Sequence, residues 1–427
     1  MTYETTYPAH LAELQRRTED ALVGTGFDAV ILCSGAAALK TKFDDQAWPL
    51  VPTPSFTHWC PLAEADAFVV VRPGHRPRLV RTVADDFWET TPPPESDHFW
   101  SGFEVVEAAP GHAHDSLPGG RVAVVTRDAG TSPPGAVNPP ELLAALDLTR
   151  TRKTAYEIEC LAAATRRAVV GHQRLASLFA SGTPSELALH LAYLDAVGHD
   201  DLGTPYKNIV ALGAHAAVLH YVAYESRAVA GDTSLLVDAG AKVLGYGSDI
   251  TRTSARGSSA PARRFADLIA LMDSLQQQVI RRIRPGLPYE ELHDATHVLL
   301  ASVLLEAGLC RGSAEDLVAS GVTRAFLPHG LGHSLGVQVH DVGMKLRAPR
   351  PENRFLRNTS VIEIGQVFTI EPGLYFIPAL LAPLRTSPLV DWAAVDSLAP
   401  FGGIRIEDNV LVGDHAIRNL TREAFAA

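Results

Sequence analysis

The sequence predicts an α+β protein of two domains, and three observations carry that expectation. At 427 residues the chain is too long for one ordinary hydrophobic core. Its first third alternates short apolar strands with helical pieces and proline-rich loops. The remainder opens on a long amphipathic helix and ends in strands flanked by glycine. The expected boundary falls at the charged stretch Arg150 to Lys153, giving domains 1–154 and 155–427.

Within the first domain, Leu11, Leu14 and Leu22 recur at helical spacing from His10 to Val23, and Gly24 and Gly26 end that helix. Phe27 to Cys33, Asp66 to Arg72, Pro77 to Val83 and Arg121 to Thr126 read as strands, with the loop Thr91 to Ser96 between them. KFDDQ carries two adjacent acids, Asp44 and Asp45.

In the second domain, helices are expected over Ala155 to Phe179, Ser185 to Val197, Ala262 to Arg284 and Tyr289 to Gly308. Strands are expected around Asn208 to Leu212, Ser234 to Ala241 and Tyr246 to Thr253. A turn centred between Val243 and Leu244 would set Asp238 opposite Asp249 on one face of a hairpin. Directly opposed residues have Cβ atoms roughly 4.5–5.5 Å apart. Two anions that close are costly unless a cation lies between them.

Composition excludes several classes. The net charge of −11 argues against a nucleic-acid or anionic-membrane binder, which needs a basic surface. No apolar run is long enough to span a bilayer. The first twenty residues are polar and acidic and do not resemble a signal peptide. Cys33, Cys60, Cys160 and Cys310 are scattered, without the pairing of a zinc site or a disulfide framework. A soluble cytoplasmic protein is expected.

Three further stretches carry acids or imidazoles beside glycine. PHGLGHSLGVQVHD holds His329, His333 and His340 within twelve positions. QVFTIEPG sets Glu371 at a strand end, before Pro372, and GGIRIEDN sets Arg405 and Glu407 on one face of a strand. An arginine and an acid so placed are ordinarily a plain ion pair. Together, however, Asp238, Asp249, His333, Glu371 and Glu407 form a donor set of four carboxylates and one imidazole. Two divalent ions would neutralise it. Such oxygen-rich donors suit Mn²⁺ or Co²⁺, with Zn²⁺ also able to enter, and the chemistry is metal-assisted hydrolysis. His293 and His297, four apart in LHDATHVLL, lack the glutamate of a zinc-protease helix and are expected on a helix surface.

The runs DAG…SDITRT, PHGLGH…VHDVG, TIEPGLYF and FGGIRIEDN resemble the metal site of the pita-bread metallopeptidases. They are most similar to those of the bacterial-type prolidases, or Xaa-Pro dipeptidases. YKNIVALGAHAAVLHY resembles that subfamily too, as does KFDDQ, where Gln46 replaces its usual histidine. The resemblance covers essentially the whole chain. It implies a creatinase-like N-terminal α/β domain followed by a C-terminal pita-bread domain.

By the same resemblance, Asp238 holds one ion, His333 and Glu371 the other, and Asp249 and Glu407 bridge the two. Hydroxide between the ions is then the nucleophile, with Glu371 as proton shuttle. His220, His329, His340 and Arg405 match positions that bind substrate or stabilise the transition state. Tyr206 and Asp45 match positions that reach a partner's active site in family dimers, so a homodimer is implied. Arg405 or a histidine would hold the dipeptide's carboxylate and Asp45 its amine. The expected reaction is hydrolysis of Xaa-Pro dipeptides, with phosphotriester hydrolysis as a side activity. Two other readings are an aminopeptidase P acting on longer peptides and a metal-free pita-bread binding protein. The five retained donors count against the second.

Overall fold

The structure, a computed structural model, describes residues 3–43, 45–83, 93–109, 112–127, 132–200 and 202–427. Asp44 and the first two residues of the loop expected from Thr91 lie outside that set. The chain divides into two compact units, one of Met1–Cys160 with Val243–Tyr246, the other of Leu161–Lys242 with Gly247–Ala427.

The first unit is built on a six-stranded mixed sheet. Its central strand, Ala29–Cys33, is buried along its length, which is why it reads as a continuous apolar run. Ile31 pairs with Val70 on the antiparallel side and with Val124 on the parallel side. The helix Tyr3–Thr25 begins earlier than its leucine spacing implies, because Tyr7 joins its buried face and donates to the Trp59 carbonyl at 2.5 Å. Edge strands Glu104–Ala108 and Ala136–Val137 have no apolar alternation to betray them; the residues at 104, 105, 107, 136 and 137 are exposed.

In the second unit, two antiparallel three-stranded sheets carry the site. One orders Thr251–Arg256, Thr233–Asp238 and Ile209–Leu212; the other orders Val367–Ile370, Asp408–Val412 and Ile417–Asn419. A bridge from Thr251 to Glu407 joins them. Helices Ala260–Ile280 and Tyr289–Glu306 back these strands; Phe265, Met272 and Leu300 share one core with Phe368, Ile404 and Val410. Ser259 caps the first of these helices, its side chain accepting from Ala262 N.

Two expectations are corrected here. The hairpin pairs Asp238 with Thr251, not with Asp249. Its turn lies at Leu244 and Gly245, both at positive φ, as a two-residue turn of the primed type requires; glycine at 245 moves the centre one position along. Asp238 and Asp249 remain on one face, as diagonal rather than direct neighbours. His293 and His297 do not lie on a helix surface: they are 2% and 1% exposed, turned inward on Tyr289–Glu306. Among the described residues, no helix is long and apolar enough to cross a membrane. All four cysteines are free and buried.

Candidate metal centre

Backbone pairing brings the five donors together. Glu371 N donates to Leu331 O at 2.8 Å and Thr369 N to His333 O at 2.9 Å, so the histidine loop lies along the strand Val367–Ile370. A Cβ at Gly332 would stand 2.0 Å from the Thr369 carbonyl oxygen, so only glycine permits that approach. Glu407 N donates to Thr251 O at 3.0 Å, fixing this acid beside the aspartate hairpin.

Donor atoms of Asp238, Asp249 and Glu407 lie within 4.8 Å of one another, and so do those of His333, Glu371 and Glu407. Glu407 is common to both groups. A third group of the same tightness joins Asp249, His333 and His340. His333 Nε2 stands 3.3 Å from Asp249, 3.7 Å from Glu371 and 4.0 Å from Glu407. Its Nδ1 donates to the Ser334 carbonyl at 3.0 Å, so Nε2 is the ring atom turned to the acids.

The electrostatics of this cluster call for cations. Burial, then the neighbouring Asp238 charge, pushes Asp249 up. Burial raises Glu371 to about 7, and burial with the Asp249 charge holds Glu407 well above the ordinary carboxylate range. For His333, burial acts downward, but the anions of Asp249 and Glu371 prevail and the net direction is up. Glu407 Oε1 is buried with no hydrogen-bond partner. An orphaned carboxylate oxygen among like charges fits a divalent metal centre of hard oxygen donors and one imidazole.

The cluster forms part of the wall of a cavity of about 610 Å³, and every lining residue belongs to the second unit. His220, His329, His340 and Arg405 all line it. His329 Nε2 bonds the Tyr375 hydroxyl at 2.9 Å; burial and the Arg405 charge lower His329 to about 3, and burial and His333 lower His340 to about 3, so both rings are neutral. Arg405 is 3% exposed and already engaged: it donates to Asp238 at 2.5 Å, to Tyr375 at 2.9 Å and to Thr251 at 3.2 Å. The Tyr206 hydroxyl lies 2.7 Å from Asp238 Oδ1 and 2.5 Å from Asp249 Oδ1 of its own chain. Asp45 is exposed on the first unit.

Sequence reasoning missed Thr251, Tyr375 and the basic residues Lys345, Arg354 and Arg357, all three of which line the cavity. Thr251 follows Asp249 by two positions in the same run and donates to Glu407 at 2.7 Å, a signal that was available. KLRAPRPENRFLR, from Lys345 to Arg357, holds five basic residues and one acid, but nothing in its composition points inward.

Comparison with known proteins gives a consistent picture. Residues 159–414 match the model of metallopeptidase family M24, and residues 5–148 match that of the Xaa-Pro dipeptidase N-terminal domain. The chain is 42% identical over 423 residues to the Xaa-Pro dipeptidase of Marinobacter nauticus, covering 97% of each. It is 40% identical to that of Stenotrophomonas maltophilia, covering 99% of this chain and 97% of the relative. Among solved structures it resembles Pseudomonas aeruginosa aminopeptidase PepP (TM-score 0.74, 24% identity, 97% of each chain). Escherichia coli aminopeptidase P is similar at TM-score 0.74 and 22% identity, again over 97% of each chain. These two likenesses concern the fold: a creatinase-like α/β domain followed by a pita-bread domain.

Proposed function

The chain belongs to metallopeptidase family M24 and is a metal-dependent peptidase; on that premise we propose that it hydrolyses Xaa-Pro dipeptides at a dinuclear centre. The observation that carries this reading is the convergence of Asp238, Asp249, His333, Glu371 and Glu407 on one cavity wall, with Glu407 common to two donor groups. Asp238 would hold one ion, His333 and Glu371 the other, with Asp249 and Glu407 between them. Two divalent ions, preferably Mn²⁺ with Co²⁺ or Zn²⁺ as substitutes, would supply an activated water and polarise the scissile carbonyl.

The chain's own groups do the rest. A proline nitrogen carries no proton of its own in the peptide and must acquire one as it leaves. Glu371, on the wall of the cavity beside His333, is the group that would deliver it. His220 and His340 border the same cavity and are the groups that hydrogen-bond the carbonyl oxygen as charge develops there. His329 and Tyr375 brace Arg405, which in turn orients Asp238. Because Arg405 is spent on Asp238 and Tyr375, the carboxylate of the dipeptide falls to Arg357, with Lys345 and Arg354 beside it. Among the described residues, none of these three is ion-paired with an acid.

Leu39, Phe43, Trp48 and Val51 are 55%, 88%, 60% and 50% exposed on either side of Asp45. That apolar run supports a homodimer in which Asp45 binds substrate in the partner's site. Four buried free thiols accord with a cytoplasmic location. Slow phosphotriester hydrolysis is a corollary, and no turnover of any such ester with Mn²⁺ present removes it.

One observation favours the aminopeptidase alternative. A second cavity of about 260 Å³ shares Pro328, His329, Arg354, Phe355 and Leu380 with the first, which leaves room beyond a dipeptide. Rates on Ala-Pro and Ala-Pro-Ala-Ala separate the two. Preference for Ala-Pro supports the dipeptidase, and preference for the tetrapeptide overturns it.

A further inference from the structure

The strap from Lys345 to Arg357 forms one side of the catalytic cavity and is closed at its base. Thr359 N donates to Met344 O at 2.9 Å, and the Thr359 hydroxyl bonds Arg347 O at 3.1 Å. Of its five basic residues, Arg347 and Arg350 are consumed by one helix. Arg347 Nη2 stands 2.8 Å from Glu290 Oε2, and Arg350 donates from its backbone N to Glu290 Oε1 at 2.8 Å. Arg350 also bonds Asp294, one helical turn along. Asn353 completes the anchor: its Nδ2 donates to Glu290 at 3.2 Å and to Asp294 at 3.0 Å, while its Oδ1 accepts from Arg324 at 2.8 Å. Glu290 and Asn353 are each 3% exposed.

This arrangement sorts the strap's charges. Two guanidinium groups turn to buried or half-buried acids, whereas Lys345 and Arg357 line the catalytic cavity and Arg354 lines both it and the second one. Three like charges that line one cavity repel one another, and the anchor fixes the backbone that presents them. An incoming anion relieves that repulsion. Behind Phe355 and Leu356 lies the second cavity, walled by His293, His297 and Arg324, so packing alone does not hold the strap in place.

We propose that Glu290 and Asn353 are positioning residues for recognition of a free C-terminal carboxylate, acting by pinning the strap that presents Lys345, Arg354 and Arg357 to the cavity. The inference rests on the dipeptidase reading above and adds to it the device that selects a substrate ending at proline. Neither residue touches the substrate. Their effect is on substrate binding, not on the chemical step.

The test compares Ala-Pro with Ala-prolinamide, which lacks the anion, in the metal-loaded enzyme carrying Glu290→Gln or Asn353→Ala. The KM for Ala-Pro should rise about tenfold with kcat within about twofold, and the amide should be unaffected. Glu290→Gln keeps the side-chain volume, and Asn353→Ala removes a different part of the same anchor, so failure of one variant to fold leaves the other decisive. Equal losses on both compounds, or no change on either, would overturn the strap's role while leaving wild-type dipeptidase activity intact. A wild type inert on both compounds would overturn the dipeptidase reading and the strap's role together.

Discussion

Arg405 Nη2 stands 2.5 Å from Asp238 Oδ2, and its Nη1 donates to the Tyr375 hydroxyl at 2.9 Å, so a buried guanidinium ties an aspartate of the cluster to the neighbouring strand. Removing one partner of a buried, hydrogen-bonded pair leaves the other uncompensated. Arg405→Gln should therefore destabilise the metal-free protein by about 3–5 kcal/mol. Urea unfolding measures it, and Arg405→Lys should recover only part of the loss because lysine cannot reach Asp238, Tyr375 and Thr251 together.

Loss of Asp249 should affect chemistry more than folding. Asp249→Asn is expected to lower Ala-Pro hydrolysis by about 10²–10³-fold or more while the circular dichroism spectrum is unchanged. Full activity in that variant would end the dinuclear account.

Proton linkage gives a signed prediction. Glu371 is raised in the folded chain to about 7 from an ordinary 4.5. Between those values the folded state binds more protons than the unfolded, so its contribution to stability is present below about pH 4.5 and is lost as pH rises through about 7. Metal-free Glu371→Gln should gain thermal stability over metal-free wild type at pH 8 and show no such gain at pH 4.5. Paired melting curves at the two pH values read this directly.

The buried pair His293 and His297 lies near the anchor of the strap, with Arg324 Nη1 3.3 Å from His297 Nε2. Burial lowers His293 to about 4 and His297 to about 2, leaving both neutral above pH 6. A guanidinium against the ring excludes a cation from that nitrogen. His293→Leu should leave the number of bound divalent ions unchanged, as counted by elemental analysis after dialysis.

Much of the site was legible because its residues stand in short, glycine-flanked motifs whose chemistry shows through local spacing. Asp238 and Asp249 come from one hairpin and His333, Glu371 and Glu407 from three further stretches, yet each stretch carries its own turn or strand-end signal. The hairpin register was not legible to within one residue, since Leu244 adopts positive φ against its ordinary preference and only the fold reveals it. The interior position of His293 and His297 was hidden for a different reason. Their helix buries Tyr289, Leu292, Thr296 and Leu300 as well, so polar residues share its inward face and the spacing alone does not tell inside from outside. The strap's role was invisible because its contacts are long-range, from Glu290 to residues some sixty positions away.

Metal stoichiometry tests the central claim most directly. Protein stripped by chelator and titrated calorimetrically with Mn²⁺ should take up two ions per chain, and Glu407→Gln should weaken both. Uptake of no ion, or of a single ion indifferent to Glu407, would contradict it.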